Sequence, residues 1–381
     1  MISINRIFHP VGQGLFCTEE LILKNEKKVV VYDCGSFQKK KVIAEVNSFF
    51  PKKDEKSVID ILFISHFDQD HINGIEELKE NCVIKNVVIP KLSTIQISYY
   101  LCKDIENIIL LKNLLLTPEE FFEGSTIVWI EDSSITSNEM KEEEKNMVLE
   151  DDFCCYELKD GKLECYKKKN GVGVVIKIDG IWMYKPFNYS TDTSMDPFKY
   201  ELERENLDLR KMHKIDYVWT HRKILKSIYA KMKGKINFNS MLLYSDVLGN
   251  IDKVISYNDG SYSPCTDSDI CSHFDCKKEV GCLYLGDSSP KSLEQFVNRN
   301  QYIKKHINIL QVSHHGAVND TRKENIVDLL SLNIAVLSYG TDNNYGHPSA
   351  VVIDILNHSN KIIKHVTEKR DSLFFQNIKL E

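Results

Sequence analysis

Ser65-His66-Phe67-Asp68-Gln69-Asp70-His71 places four metal-binding side chains within six residues, directly after the apolar run Ile59–Ile64. A loop at the end of a buried strand can turn alternate side chains to one side. His66 and Asp68 can then serve one centre, and Asp70 and His71 a second one nearby. Three other short motifs have the same character: Gly286-Asp287 ends VGCLYLGD, Ser313-His314-His315-Gly316 follows INILQV, and Tyr345-Gly346-His347-Pro348 comes shortly after IAVLSYG. Taken singly, a Gly-Asp pair is usually a turn and a loop histidine beside Gly or Pro is usually structural. Yet five of the 12 histidines fall in these motifs, each near the end of an apolar run, and that recurrence points to a shared metal site. Two divalent ions roughly 3.5–4 Å apart activate a water and clamp an in-line displacement at phosphorus.

The elements that must position these residues read as an α/β layered domain. Val29–Gly35, Ile59–His66 and Val83–Pro90 are short apolar runs expected to be strands, and residues 39–50 carry apolar side chains at helical spacing. The rhythm returns after Phe238 with MLLYSDV, GCLYLGD, INILQVSHH and IAVLSYG. Helices are expected at 290–305, 322–332 and Ala350–Asn357. Between these halves, residues 171–187 read as a hairpin about Asp179-Gly180, and 194–235 as charged helices. Residues 133–152 read as an acidic loop. The expected organisation is an N-terminal half of the fold (1–94), an inserted subdomain (95–235) and a C-terminal half (236–381).

The chain has 381 residues, 42% hydrophobic and 27% charged, enough for a substantial core without staples. Its net charge of -6 argues against a general nucleic-acid coat protein but leaves room for a local basic groove. No apolar run reaches roughly 18 residues, so no membrane span is expected. The N-terminus lacks the apolar core of a signal peptide, and 11 cysteines cannot all pair internally. Reduced thiols in a cytoplasmic protein are expected.

The motifs, in their order, resemble the metallo-β-lactamase superfamily of hydrolases, in particular the branch that includes the soluble hydrolase domain of the ComEC-type DNA-uptake channel. The residues that carry the resemblance are Val11-Gly12-Gln13-Gly14, Asp33-Cys34-Gly35, Ser65 to His71, Asn239-Ser240, Gly286-Asp287, His314-His315-Gly316 and Tyr345 to Pro348. They cover roughly residues 1–90 and 236–357. The resemblance implies a four-layer αββα sandwich with a two-metal site at one edge of the sheets. It implies His66, Asp68, Asp70, His71, Asp287, His314 and His347 as metal ligands, with Asp287 bridging, and Asp70 and His315 as catalytic residues. Asp33 is expected to orient a ligand histidine. There are departures. Asp68 stands where the wider superfamily has His, and no histidine lies between 71 and 213 to supply its later-strand ligand, a place His314 or His315 could take. An added carboxylate makes the site harder, shifting preference from Zn²⁺ towards Mn²⁺ or Mg²⁺. The channel's membrane helices are missing, so transport does not carry over.

The expected function is metal-dependent phosphodiester hydrolysis, with nucleic acid, DNA first, as substrate. Alternatives are a small phosphodiester such as a cyclic nucleotide or phosphorylcholine ester, a partner-controlled effector in phage defence docking through residues 95–235, and a binding module with a degenerate site. Cys265, Cys271, His273, Cys276 and Cys282 are candidates for a structural zinc site, with a loop of reduced thiols as the alternative. Lys39–Lys41, Lys52-Lys53 and Lys167–Lys169 are read as solvated faces, or as a basic rim if they reach the metal edge. Tyr99, Tyr100, Trp182, Tyr184, Phe187 and Tyr189 are base-stacking candidates, with core packing as the preferred reading.

Overall fold

The computed structural model describes residues 2–23, 26–133, 154–167, 173–189, 195–232, 240–249, 253–259, 279–327, 329 and 331–380. The chain opens with an antiparallel meander, β1 (Ile2–Phe8), β2 (Gly14–Leu23) and β3 (Glu26–Ser36). Helix α1 (Lys39–Phe49) follows and buries Val42 and Val46. The strand expected over 59–66 is broken at Asp60 into β4 (Ser57–Ile59) and β5 (Ile61–Phe63). Asp60 turns its carboxylate back to accept the Val29 N–H at 2.9 Å. Two short helices come next, α2 (Gln69–Ile72) and α3 (Ile75–Asn81). The run ending at Pro90 is likewise split, into β6 (Cys82–Ile84) and β7 (Asn86–Pro90).

The described strands within residues 95–235 join the two sheets. Helices α4 (Thr94–Lys103), α5 (Ile108–Leu115) and α6 (Pro118–Phe121) lead into β8 (Thr126–Ile130), which pairs in parallel with β7. Then β9 (Cys154–Lys159), β10 (Lys162–Lys167), β11 (Val174–Ile178) and β12 (Trp182–Phe187) extend the second sheet, the last two as the expected hairpin. A strand's backbone groups need partners, and the open edges of the two sheets supply them. Helices α7 (Asp196–Arg204), α8 (Ile215–Thr220) and α9 (Arg222–Met232) return over the first sheet, where α9 packs on α4.

The C-terminal part alternates as expected: β13 (Leu242–Val247), β14 (Lys253–Asp259), β15 (Gly281–Tyr284), α10 (Pro290–Arg299), β16 (Ile307–Gln311), α11 (Lys323–Val327), β17 (Ile334–Ser338), α12 (Ala350–His358), β18 (Ile362–Val366) and β19 (Phe374–Leu380). The first sheet runs β14-β19-β1-β2-β3-β5-β7-β8 and the second β10-β9-β11-β12-β13-β15-β16-β17-β18. β16 and β17 are buried at every position, as strands covered on both faces must be. β19 alternates, with Phe374, Gln376, Ile378 and Leu380 turned inward.

Three apolar clusters define the four layers. Phe8, Tyr32 and Phe63 of the first sheet meet Trp182, Tyr284 and Val336 of the second. The first sheet's outer face, with Val31 and Leu62, packs under Val46, Tyr99 and Leu225. The second sheet's outer face, with Leu283 and Leu310, packs under Phe296, Val352 and Leu356. The architecture is therefore an αββα sandwich. Tyr99, Tyr100, Trp182, Tyr184, Phe187 and Tyr189 are all core residues of these clusters, so none presents a free face to a base. Cys282 lies in β15, fully buried between the sheets. Cys265, Cys271, His273, Cys276 and the acidic stretch 134–152 lie outside the described residues. Among the described residues no helix is long and apolar enough to cross a membrane.

Candidate metal centre

Strands β3, β5, β7 and β8 run parallel in one sheet, and β15, β16, β17 and β18 in the other. The chemistry-bearing residues follow the C-terminal ends of these strands, where open α/β sheets bind ligands. Met241 N–H donates to the Ser65 carbonyl at 2.8 Å and Tyr32 Oη to the Met241 carbonyl at 2.9 Å, which ties the two edges together.

Asp33 is an extra residue in β3. Phe16 pairs with Cys34 and Cys17 with Tyr32, leaving Asp33 unpaired at φ +56. A bulge of this kind re-aims a side chain. Both Asp33 oxygens are used: Oδ1 accepts Ser65 N–H at 2.7 Å, and Oδ2 accepts Ser65 Oγ–H at 2.6 Å and His71 Nδ1–H at 2.8 Å. Both oxygens are thus taken by hydrogen bonds, one of them to His71, and Asp33 with His66 and His71 also forms a third group of side chains close enough together to hold an ion. Gly35, next but one along, lets the chain bearing His71 lie directly on β3, since a Cβ there would come within 2.4 Å of His71 N.

Each ring is held through Nδ1, leaving Nε2 to face the centre. His66 Nδ1 lies 2.9 Å from Ser65 Oγ and 3.0 Å from Ser240 Oγ. Because Ser65 already donates its hydrogen to Asp33, it accepts from His66, which leaves the lone pair on Nε2. His314 Nδ1 donates to Asp320 at 2.7 Å, and His315 Nδ1 to the Ser338 carbonyl at 2.7 Å. Residues 314 and 315 are both in the left-handed region, φ +49 and +56, a strained turn that splays the adjacent imidazoles.

Asp287 sits between them. Its loop is held by Gln311 Oε1, which accepts the Leu285 and Gly286 N–H groups, and by Ser240 Oγ, which accepts its own N–H at 2.7 Å. Oδ2 lies 3.7 Å from His66 Nε2 and 3.8 Å from His314 Nε2, whereas Oδ1 lies 3.2 Å from His71 Nε2 and 4.0 Å from His315 Nε2. The carboxylate thus divides the ligands into two sets. One is His66, Asp68 and Asp287, with ligand atoms within 4.8 Å of one another, and His314 beside them. The other is Asp70, His71, Asp287 and His315, equally close, in which His315 Nε2 is 3.0 Å from Asp70 Oδ2.

A metal is the group these residues fit. His66 Nε2, Asp68 Oδ1, His71 Nε2 and Asp287 Oδ1 are buried with no hydrogen-bond partner among the described residues. Burying so many unsatisfied polar atoms is costly unless a ligand completes them. The electrostatics agree. Burial pushes the Asp287 carboxyl up, but His314, His71 and His315 outweigh it and hold it well below the carboxylate range. Burial, with His71 beside it, drives His66 down. His71 is raised, against its burial, by Asp287 and Asp33, and His314 is raised to about 9, chiefly by Asp287.

His347, like His314, is outside the groups whose ligand atoms all lie within 4.8 Å of one another, and its Nδ1 is buried with no hydrogen-bond partner among the described residues. Its ring stands 5.4 Å from that of His314, and burial and the neighbouring His314 lower it to about 4. Three contributors went unread in the sequence. Lys103 of α4 pairs with Asp68, Asp320 anchors His314, and Ser338 anchors His315 through its carbonyl. Only Asp320, a carboxylate six residues after His314, lay near a recognisable motif. Asp33→Asn is expected to weaken metal affinity by about 10- to 100-fold, as loss of a ligand's outer partner does. Titration of the apoprotein with Zn²⁺ or Mn²⁺ checks this, and an unchanged affinity would remove Asp33 from the site.

A search of curated proteins found no match. Residues 21–142, which carry Asp33, His66, Asp68, Asp70 and His71, match the model of the Metallo-beta-lactamase superfamily, and the chain has the α/β sandwich fold consistent with it.

Proposed function

We propose that the protein is a metal-dependent phosphodiester hydrolase acting on nucleic acid, with DNA the first substrate to test. The observation that carries this reading is the division of Asp287 between two buried ligand sets, Oδ2 facing His66 and Oδ1 facing His71. The superfamily match to residues 21–142 supports metal-dependent hydrolysis in general. Bound there, two divalent ions would supply an activated water and compensate charge developing on a phosphoryl group. The protein's own residues do the rest. Asp33, Asp320 and the Ser338 carbonyl fix ring orientation. Lys103 holds Asp68 and brings a cation to the cavity wall; its ammonium is kept charged, against its burial, by Asp68. An anionic diester suits a floor of metal ions with a lysine beside it.

The cavity over the site has a volume of about 360 Å³, within the range of small-ligand sites. That size favours, as a second reading, a small phosphodiester such as a cyclic nucleotide.

Purified protein supplied with Mn²⁺, Mg²⁺ or Zn²⁺ is expected to hydrolyse bis(p-nitrophenyl) phosphate. Asp70→Ala should abolish this while circular dichroism shows the fold retained. Equal turnover by both proteins would signal contamination and put a binding module ahead. Single-stranded DNA and a cyclic dinucleotide, offered in parallel, separate the two substrate readings.

A further inference from the structure

The exposed aromatics of the described surface include Tyr166, Tyr200, Trp219 and Tyr302, which lie away from the metal cavity. Phe37 and Tyr345 differ from these. Both line that cavity, both remain open to solvent (48% and 59%), and their rings stack on each other with centroids 5.7 Å apart and planes at 25°. They come from opposite ends of the chain. Phe37 follows the end of β3, and Tyr345 opens the Tyr-Gly-His-Pro loop. Singly exposed hydrophobic side chains need no explanation, but two in contact at the mouth of a cavity floored by metal ligands form a surface.

That surface continues inward. The Tyr345 ring lies 5.9 Å from the ring of His347, which lies 5.4 Å from that of His314. His314 Nε2 in turn is 3.8 Å from Asp287 Oδ2. A line of rings therefore runs from solvent to the residue that divides the two ligand sets, Tyr345 tilted at 31° to His347 and His347 edge to face with His314 at 77°. A molecule that matches it carries a planar aromatic group at one end and, one short reach away, an anionic phosphodiester.

We infer that Phe37 and Tyr345 form a nucleobase subsite, which stacks an unpaired base next to the phosphate to be cleaved. This rests on the phosphodiesterase reading and narrows it to nucleotide substrates. Every base has a π-face, so the subsite tolerates any sequence. A base must leave its duplex partner to reach it, so single strands or small nucleotides are taken in preference to paired DNA.

The test measures binding without turnover. The probe is a dinucleotide containing 2-aminopurine and joined by an anionic, hydrolysis-resistant link in which a methylene replaces the bridging oxygen. Its fluorescence is expected to fall on binding the wild-type protein. Phe37→Leu and Tyr345→Leu should each weaken binding by about 10-fold, the size expected for one lost base–aromatic stack. Tyr345→Trp should restore it, which a change in folding alone would not do. A decamer carrying the same base and link separates the sources: tighter binding than the dinucleotide indicates a polymer, equal binding a small nucleotide, and both support the subsite. Equal affinity of wild type and both Leu variants, or no fluorescence change at all, would overturn it. In a second measurement, the Leu variants should raise KM for thymidine 5′-(p-nitrophenyl phosphate) more than for methyl p-nitrophenyl phosphate. Hydrolysis of both esters without any base effect would reject the subsite and leave the phosphodiesterase standing. Base binding without hydrolysis of either ester would do the reverse.

Discussion

On the two-metal phosphodiesterase reading, replacing Asp287 by Asn is expected to cut bound divalent metal to one equivalent or none, and to lower phosphodiester cleavage by more than about 100-fold, the upper end of what losing an outer partner of a metal ligand costs. The reason lies in the two oxygens. Oδ2 faces His66 and His314, and Oδ1 faces His71 and His315. An amide keeps one acceptor and loses the negative charge, so it can serve at most one of the two sets. Packing should survive, because Asn is nearly isosteric and the Asp287 N–H keeps its bond to Ser240. Elemental analysis after dialysis gives the stoichiometry. His347→Ala is the companion measurement: with its ring 5.4 Å from that of His314 and outside both sets, His347 should not alter metal content. Full metal occupancy in Asp287→Asn would refute the shared-carboxylate centre, and loss of metal in His347→Ala would redraw the ligand set.

Much of this centre could be read from the sequence because it is local. The histidines and aspartates sit in short motifs, and those motifs follow apolar runs whose β-branched composition marks buried strands. The α/β layering follows from the same runs, whereas the four-layer sandwich is what the family resemblance implies. What could not be read depends on backbone geometry or distant partners. His314 and His315 are adjacent in sequence, and only their consecutive left-handed conformation sends one to each oxygen of Asp287. Asp33 reaches Ser65 and His71 because a bulge leaves it out of the strand pairing. Lys103 meets Asp68 because α4 packs across the sheet. The start of α4 did carry a signal, Ser93-x-x-Gln96, in which Gln96 Oε1 accepts the Ser93 N–H at 2.7 Å. For residues 95–235 the limit is of another kind. Their composition differs from the flanking halves, yet β8 to β12 find partners in both sheets, and strand pairing is not visible in composition.

β2 was obscured because Glu19 and Glu20 sit within it, and Glu19 supports the second large prediction. Glu19 is 3% exposed and lies between the sheets. It accepts from Arg6 Nε, Tyr184 Oη and Tyr284 Oη, each at 2.7 Å, and from Ser245 Oγ. Arg6, fully buried, also donates to the Val280 carbonyl at 3.0 Å and to Gln376 Oε1 at 2.5 Å. Burial opposes ionisation of Glu19, but Arg6 outweighs it and holds the carboxyl below its ordinary value near 4.5. The pair therefore stabilises the fold fully above about pH 4.5, and the contribution is lost as the pH falls further. Glu19→Leu leaves a buried guanidinium and two tyrosine hydroxyls without their acceptor, and should destabilise the protein by about 3–5 kcal/mol. The double variant Arg6→Met/Glu19→Leu still takes the acceptor from Tyr184 and Tyr284 but removes both charges, and should cost less than the single variant, since apolar replacement of a whole buried ion pair is often neutral. Urea unfolding of the two variants at neutral pH measures the difference. The comparison bears on the metal site as well, because the network joins β1 and β2 to β12, β13 and β15, and Ser240 and Asp287 flank the last two. If Glu19→Leu costs less than about 1 kcal/mol, as an exposed pair would, the placement of the two sheet edges must come from apolar packing alone. If the single variant is severe and the double mild, the ion pair enforces a unique registry between the sheets that the apolar core by itself tolerates but does not require.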